Sequence, residues 1–142
     1  HDSTNQYANV TTNSYVWNIG TTDATNGVTT TGNALSFAYT GVYNIQFSLQ
    51  LHSTNASAKE IYIWLNQNGT PVANTASRFQ IAGSNNEQIV AWNFLAETFT
   101  SGEYFELMWQ ADNTNIQAYA VPATATIPAI PSVILTVTHA SA

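Results

Sequence analysis

Catalysis requires a nucleophile, an acid–base pair or a metal-ligand cluster at a usable spacing, and this chain is sparing with all three. Its carboxylates are Asp2, Asp23, Glu60, Glu87, Glu97, Glu103, Glu106 and Asp112. Glu103 and Glu106 are the nearest pair, but on a strand an odd separation sends them to opposite faces, so they do not form a general acid–base couple. His1, His52 and His139 are far apart and show neither HxH nor HExxH spacing. If the strands carrying His52 and His139 are antiparallel neighbours, the two imidazoles fall at opposite ends of a sheet and share no metal. His1 is read as disordered or adventitious. There is no cysteine, hence no disulfide and no thiolate ligand. Serine and threonine abound without a GxSxG elbow or a plausible His–Asp partner, and no Gly-rich phosphate loop occurs. No catalytic residue, no metal site and no cofactor are expected, and the carboxylates are read as solvated or turn-flanking groups. Asn9-Val10-Thr11, Asn55-Ala56-Ser57 and Asn68-Gly69-Thr70 match the glycosylation pattern, at a frequency chance explains in a chain so rich in Asn and Thr.

Charge excludes further classes. Charged residues make up 7% of the chain, against a norm of about 25%. The net charge is −6 and the cations are Lys59 and Arg78. Two cations cannot neutralise a run of phosphates, so neither nucleic acid nor an anionic membrane surface is an expected partner. No apolar run approaches the roughly 20 residues of a membrane-spanning helix, and no membrane insertion is expected. Hydrophobic residues at 44% and aromatics at 12% argue against disorder. The chain opens on His1 without a signal peptide and is read as an excised part of a longer protein.

The elements that position these residues read as strands. Gly41–Leu51 puts Tyr43, Ile45, Phe47, Leu49 and Leu51 on one face and Asn44, Gln46, Ser48 and Gln50 on the other, the period of a half-buried strand. Its polar face should meet solvent or a hydrated interface, with no group buried unpartnered. Further strands are expected at Tyr15–Ile19, Val28–Thr31, Asn33–Tyr39, Ile61–Leu65, Val72–Ala76, Gln88–Thr98, Glu103–Gln110, Ile116–Val121 and Ser132–Thr138, with Phe79 and Ile81 in a short apolar stretch. Asn33–Tyr39 is expected to form a hairpin with Gly41–Leu51 through Thr40-Gly41. Asn68-Gly69 signals a tight turn, and the prolines at 122, 128 and 131 make that segment irregular. Residues 1–14 are expected to be a connection from an upstream segment or an edge strand, and residues 15–142 one domain. About eight to ten short strands without helical period specify an all-β sandwich or jelly roll.

The aromatic surplus is the most informative feature. Trp17, Trp64, Trp92 and Trp109, with Tyr15, Tyr62 and Tyr104, lie in strands whose two faces both look apolar. A monomeric sandwich covers one face of each sheet. The other faces would stack on sugar rings or be buried against identical chains. Four tryptophans in four strands exceed what one sugar site needs, which favours burial between subunits, where charge is depleted. With Val133 and Leu135 of the closing strand, these residues are the expected interface. The loops at 20–32, 52–59, 82–87 and 112–115 would carry recognition, with Thr25, Asn26, Asn55, Asn85, Asn86, Asn113 and Asn115 as neutral hydrogen-bonding groups suited to glycans, as is any exposed ring of Tyr7, Tyr39 and Tyr119.

The order of motifs resembles the C1q/TNF-like jelly-roll family. G-x-Y-x-I-x-F at Gly41–Phe47 is followed by I-x-I-W-L-N-x-N-G at Ile61–Gly69, S-G-E-Y-F-E-L at Ser101–Leu107 and P-S-V-I-L-T-V at Pro131–Val137. The likeness spans residues 15–140 and is closest in character to the C-terminal domains of bacteriophage virion proteins. Glu103 stands where the family usually has Asp, and the closing strand lacks the F-x-G-F of animal members, which disfavours calcium binding and animal-type receptors. The resemblance implies a sandwich of about ten strands, a homotrimer and no enzymatic activity. It implies a non-enzymatic head of a fibre, spike or appendage on the virion surface, in contact with other virion proteins and a host-surface glycan or receptor. A purely structural capsid decoration domain and a monomeric carbohydrate-binding module are the alternatives.

Overall fold

A computed structural model describes residues 1–141, and these form strands and connections with no helix among them. The strands are β1 (Gln6–Tyr7), β2 (Tyr15–Val16), β3 (Val28–Thr31), β4 (Ala34–Phe37), β5 (Gly41–Ser53), β6 (Lys59–Gln67), β7 (Thr70–Pro71), β8 (Ser77–Ile81), β9 (Asn86–Thr98), β10 (Tyr104–Ala111), β11 (Ile116–Ala118) and β12 (Val133–Ser141).

The alternation in β5 makes it the spine of a five-stranded antiparallel sheet. On one side β9 runs along its whole length, from Gly41 opposite Thr98 to Ser53 opposite Asn86. On the other side β12 covers Val42 to Leu49 and β11 covers Leu51 to Ser53, with β1 beyond β11. The second, seven-stranded antiparallel sheet is built on β6 and β10, paired from Ile61 opposite Ala111 to Gln67 opposite Phe105. There β2 and β4 flank β10, β3 lies beyond β4, and β7 and β8 flank β6.

The sheets form a sandwich around one core, so the all-β expectation is borne out. Ile45, Phe47, Leu49 and Leu51 enter from the first sheet and Ile61, Ile63, Leu65, Phe105 and Leu107 from the second. Each such fully buried side chain contributes about 1.5–3 kcal/mol of transfer free energy. On the other face of β5, Gln46 is exposed while Asn44, Ser48 and Gln50 are half-buried. Asn93 Nδ2 donates to Asn44 Oδ1 at 3.5 Å, and no polar atom of that row is buried without a partner.

Several expectations need correction. β4 does not form a hairpin with β5: it pairs with β3 and β10, and residues 38–40 carry the chain from one sheet to the other. The hairpin is instead β3–β4, closed by Gly32-Asn33, with Gly32 at φ 62°. The return from the Asn68-Gly69 turn (φ 50° and 81°, the signs of a type I′ turn) is only the two-residue β7. Asn74 at φ 63° then interrupts the chain, so strand pairing resumes at Ser77 rather than over 72–76. His1 is ordered: its nitrogen donates to Thr21 O at 2.8 Å, Thr21 N donates to His1 O at 2.9 Å, and its Nδ1 lies 2.7 Å from Asp23 Oδ2. His52 and His139 do lie towards opposite ends of β5, since His139 faces Tyr43.

Candidate functional site

Three of the expected interface residues belong to the interior of the single chain. Trp17 and Val133 are fully buried and Trp109 is 2% exposed. The Trp17 and Trp109 rings stack at 4.4 Å and 15°, with Tyr15 tilted against Trp109 at 5.3 Å. The physical reason is the short β2 strand. Pairing Tyr15 with Trp109 makes β2 a strand of the second sheet beside β10 and leads Trp17 into the core, so one chain covers what the sequence appeared to leave for a partner.

The outer face of the seven-stranded sheet also covers much of itself. Met108, 8% exposed, lies between its register partners Trp64 and Val16. Trp64 is half-buried and its Nε1 donates to Asn66 Oδ1 at 3.0 Å. Tyr62, 38% exposed, donates its hydroxyl to Glu60 Oε2 at 2.9 Å. Hydrogen bonding to Glu60 is the main cause that raises the Tyr62 pKa, with desolvation next. Tyr104 is half-buried. This face also holds charge, at Glu60, Arg78 and Glu106.

The five-stranded sheet has a different outer surface. Its rows are Ile89 beside Gln50, Ala91–Ser48–Ile134, Asn93–Gln46–Thr136 and Leu95–Asn44–Thr138. Ile89 is 66% exposed, Leu95 71% and Ile134 45%. These four central rows hold no charged residue, and the rows that flank them on the same face carry exposed Glu97 opposite Val42 and exposed Glu87 opposite His52. A shallow depression of about 400 Å³ sits at its centre, over Ser48, Ala91 and Ile134. Trp92 pairs with buried Phe47 yet is 52% exposed, because nothing pairs with the far edge of β9 among the described residues. Leu135 is half-buried. The aliphatics Ile89, Leu95 and Ile134 are absent from the sequence-derived interface. The signal for Ile89 and Leu95 is the second apolar face of Gln88–Thr98, overshadowed by the tryptophans, and Ile134 lies in the continuous apolar run of the closing strand.

Three of the four expected recognition loops converge at the Ser53 end of the sandwich. Strand polarity requires it, because β5 and β10 end there while β6, β9 and β11 begin. Thr54 N donates to Asn115 O at 3.1 Å and Ser84 N to Asn55 O at 2.7 Å. Glu60 N donates to Asp112 Oδ1 at 3.0 Å. A Cβ on Gly83 would lie 2.5 Å from Ala56 O, so two loops cross in backbone contact. Asn55, Asn85, Asn86, Asn113 and Asn115 are therefore gathered on one pole. His52 is fixed among them: Nε2 lies 2.7 Å from Asn85 Oδ1, Nδ1 is 3.2 Å from Gln117 Nε2, and the ring tilts against Tyr119 at 5.1 Å. Thr25 and Asn26 lie elsewhere, on the loop that faces β12. Exposed Tyr39 and Phe99 mark the opposite pole, and Tyr7 is exposed beside β11.

Among the described residues no three His, Cys, Asp or Glu side chains are grouped to hold a metal ion. The geometry offers two things: a sheet face with protruding aliphatics in uncharged central rows, and a pole of neutral amides around an aromatic–imidazole pair. No protein-family model matches the chain, and no curated protein matches it significantly.

Proposed function

We propose that the chain is a non-enzymatic, homotrimeric jelly-roll head of a phage fibre, spike or related virion appendage. Three copies associate through the outer face of the five-stranded sheet, and the Ser53 pole meets host-surface glycans. The observation that carries the assembly reading is the exposure of Ile89, Leu95 and Ile134 on central rows that hold no charge, with Glu87 and Glu97 only in the rows at the two ends of that face. Centres of subunit interfaces are depleted of charge in this way. The order of the Gly41–Phe47, Ile61–Gly69, Ser101–Leu107 and Pro131–Val137 motifs supports the family, and the low overall charge fits permanent burial of one face.

The attachment part rests on the pole. Asn85, Asn86, Asn113 and Asn115 present amide donors and acceptors beside Tyr119, a pairing that suits sugar hydroxyls and ring faces. One observation favours a purely architectural head. Asn55 Oδ1 accepts from Ser57 N at 2.9 Å, Asn113 Oδ1 accepts from Asn115 N at 2.9 Å, and both His52 nitrogens are engaged, so much of the polar capacity is already used inside the chain. Leu95→Asp with Ile134→Asp tests the assembly surface: the double variant should run as a folded monomer in light scattering, whereas Tyr62→Ala should leave the oligomer intact. An unchanged oligomer in the first variant removes this face from the account. Binding to host cells or a glycan array, lost in Asn85→Ala with Asn115→Ala, separates adhesion from architecture.

A further inference from the structure

At the Ser53 pole two side-chain amides meet one imidazole. His52 lies between Gln117 of β11 and Glu87 of β9 in a single row across the sheet. Its Nε2 is 2.7 Å from Asn85 Oδ1, an atom that only accepts, so Nε2 carries the ring proton. The neutral ring then has a lone pair on Nδ1, which accepts from Gln117 Nε2 at 3.2 Å. One tautomer satisfies both bonds.

That tautomer decides which half of each amide is left for another partner. Asn85 turns its oxygen to the ring and keeps the Nδ2 donors on its other side. Gln117 does the reverse and keeps Oε1. Asn85 is exposed and Gln117 half-buried, and neither remaining atom is sealed from solvent. The supports are rigid. Gln117 is held in strand register with His52. Asn85 stands on a turn in which Ser84 and Asn85 have φ 66° and 61°, Ser84 N donates to Asn55 O at 2.7 Å, and Gly83 packs against Ala56. The Tyr119 ring lies 5.1 Å from the imidazole, and its backbone N donates to Gln50 O at 2.7 Å.

We propose that His52 is a positioning residue, and that the site it sets takes a neutral sugar presenting two neighbouring hydroxyls beside the Tyr119 ring. One hydroxyl accepts from Asn85 Nδ2 and the next donates to Gln117 Oε1. A hydroxyl serves in either role, so a donor and an acceptor side by side match a diol. A carboxylate or an ammonium matches one amide and opposes the other. Charge points the same way. The segments 52–60, 82–88 and 111–117, which meet at this pole, carry Glu60, Glu87 and Asp112 against Lys59, and this disfavours acidic sugars. The inference rests on the attachment reading above and adds to it the class of sugar and the residue that sets polarity. It also gives a direction in acid. A protonated imidazole donates from both nitrogens, so Gln117 must turn its oxygen inward and its N–H outward. The outward pair becomes two donors and sugar binding weakens. Glu87 in the same row and Tyr119 are the titratable groups facing the ring, with Tyr7 of β1 beyond Gln117.

The test is NMR on the isotope-labelled chain, first without sugar. At neutral pH the His52 ring should carry its proton on Nε2, and on acidification the Gln117 side-chain amide signals should shift with the same midpoint as the ring. A proton on Nδ1 at neutral pH, or Gln117 signals indifferent to the ring, would overturn the proposal and leave the attachment reading standing. The methyl glycosides of glucose, galactose and mannose are then added at about 10 mM. Binding should move the side-chain amide signals of Asn85 and Gln117. Asn85→Asp puts an oxygen in place of the donor and should weaken binding at least about tenfold, whereas Asn9→Asp, the same charge at an exposed site elsewhere, should not. His52→Phe keeps a ring against Tyr119, removes only the clamp on the two amides, and should weaken binding as much. Undiminished binding by a folded Asn85→Asp or His52→Phe chain overturns the proposal alone. Failure of all three sugars to bind also overturns it, and the glycan array then decides the attachment reading by itself.

Discussion

Glu103 follows the Ser101-Gly102 turn, and its carboxylate ties three segments together. Oε2 accepts from Phe99 N at 2.7 Å and Thr100 N at 3.2 Å, while Oε1 accepts from Asn68 Nδ2 at 3.3 Å and Gln67 Nε2 at 3.4 Å. Desolvation pushes its pKa up, but the donors from Thr100, Phe99, Asn68 and Gln67 outweigh that and hold it below the ordinary 4.5. A lowered folded pKa means the stabilisation is complete above the unfolded value and is lost as pH falls through the folded one. Glu103→Gln should therefore cost about 1 kcal/mol at neutral pH, and the gap from the parent chain should close in urea titrations below pH 4.5. A gap that widens in acid would contradict this role. The stacked tryptophans make a second prediction. Trp17 and Trp109 both bury an indole N–H with no partner among the described residues, so packing rather than hydrogen bonding retains them. Trp109→Phe keeps a ring on Trp17 and removes an unsatisfied donor, and should cost about 1–2 kcal/mol in denaturant melts, against about 3–5 kcal/mol for Trp109→Ala.

At the scale of elements, the sequence discloses what local pattern determines. Gly41–Leu51 is legible because alternation over this length fits only a strand with one buried face, with Ile45 at 0% exposure, whereas His52 and Ser53, which read as loop, continue the strand. Ile45→Ala should lose about 2–5 kcal/mol, measurable as a shift in denaturation midpoint. The Asn68-Gly69 turn is legible because two positive φ angles need those residues. Strand partnership is not local. Thr40-Gly41 looks like a hairpin turn, and residues 38–40 are in fact a crossing between sheets, a distinction set by the pairing of Leu35 with Phe105. The pole is likewise invisible in sequence: Asn55, Asn85 and Asn115 follow one another at intervals of 30 residues, and only strand polarity brings them together. Gly83 holds that pole by backbone contact with Ala56. Gly83→Ala should destabilise by about 1–3 kcal/mol and increase amide exchange at Ser84, whose N–H bonds to Asn55 O.

For the whole molecule, the aromatic surplus and the scarcity of charge have separate explanations. Composition cannot say whether a second apolar face is covered by the same chain or by another. For Trp17, Trp109 and Met108 the cover is the chain itself. For Ile89, Leu95 and Ile134 nothing among the described residues covers them, and these three define the surface through which we propose that copies meet. An obligate interface there resembles part of a core, and its loss should expose an adhesive face. Sedimentation equilibrium of the chain at micromolar concentration tests this most directly. The account predicts three times the 15.4 kDa chain mass, unchanged on tenfold dilution, and a single-chain mass across that range would contradict it.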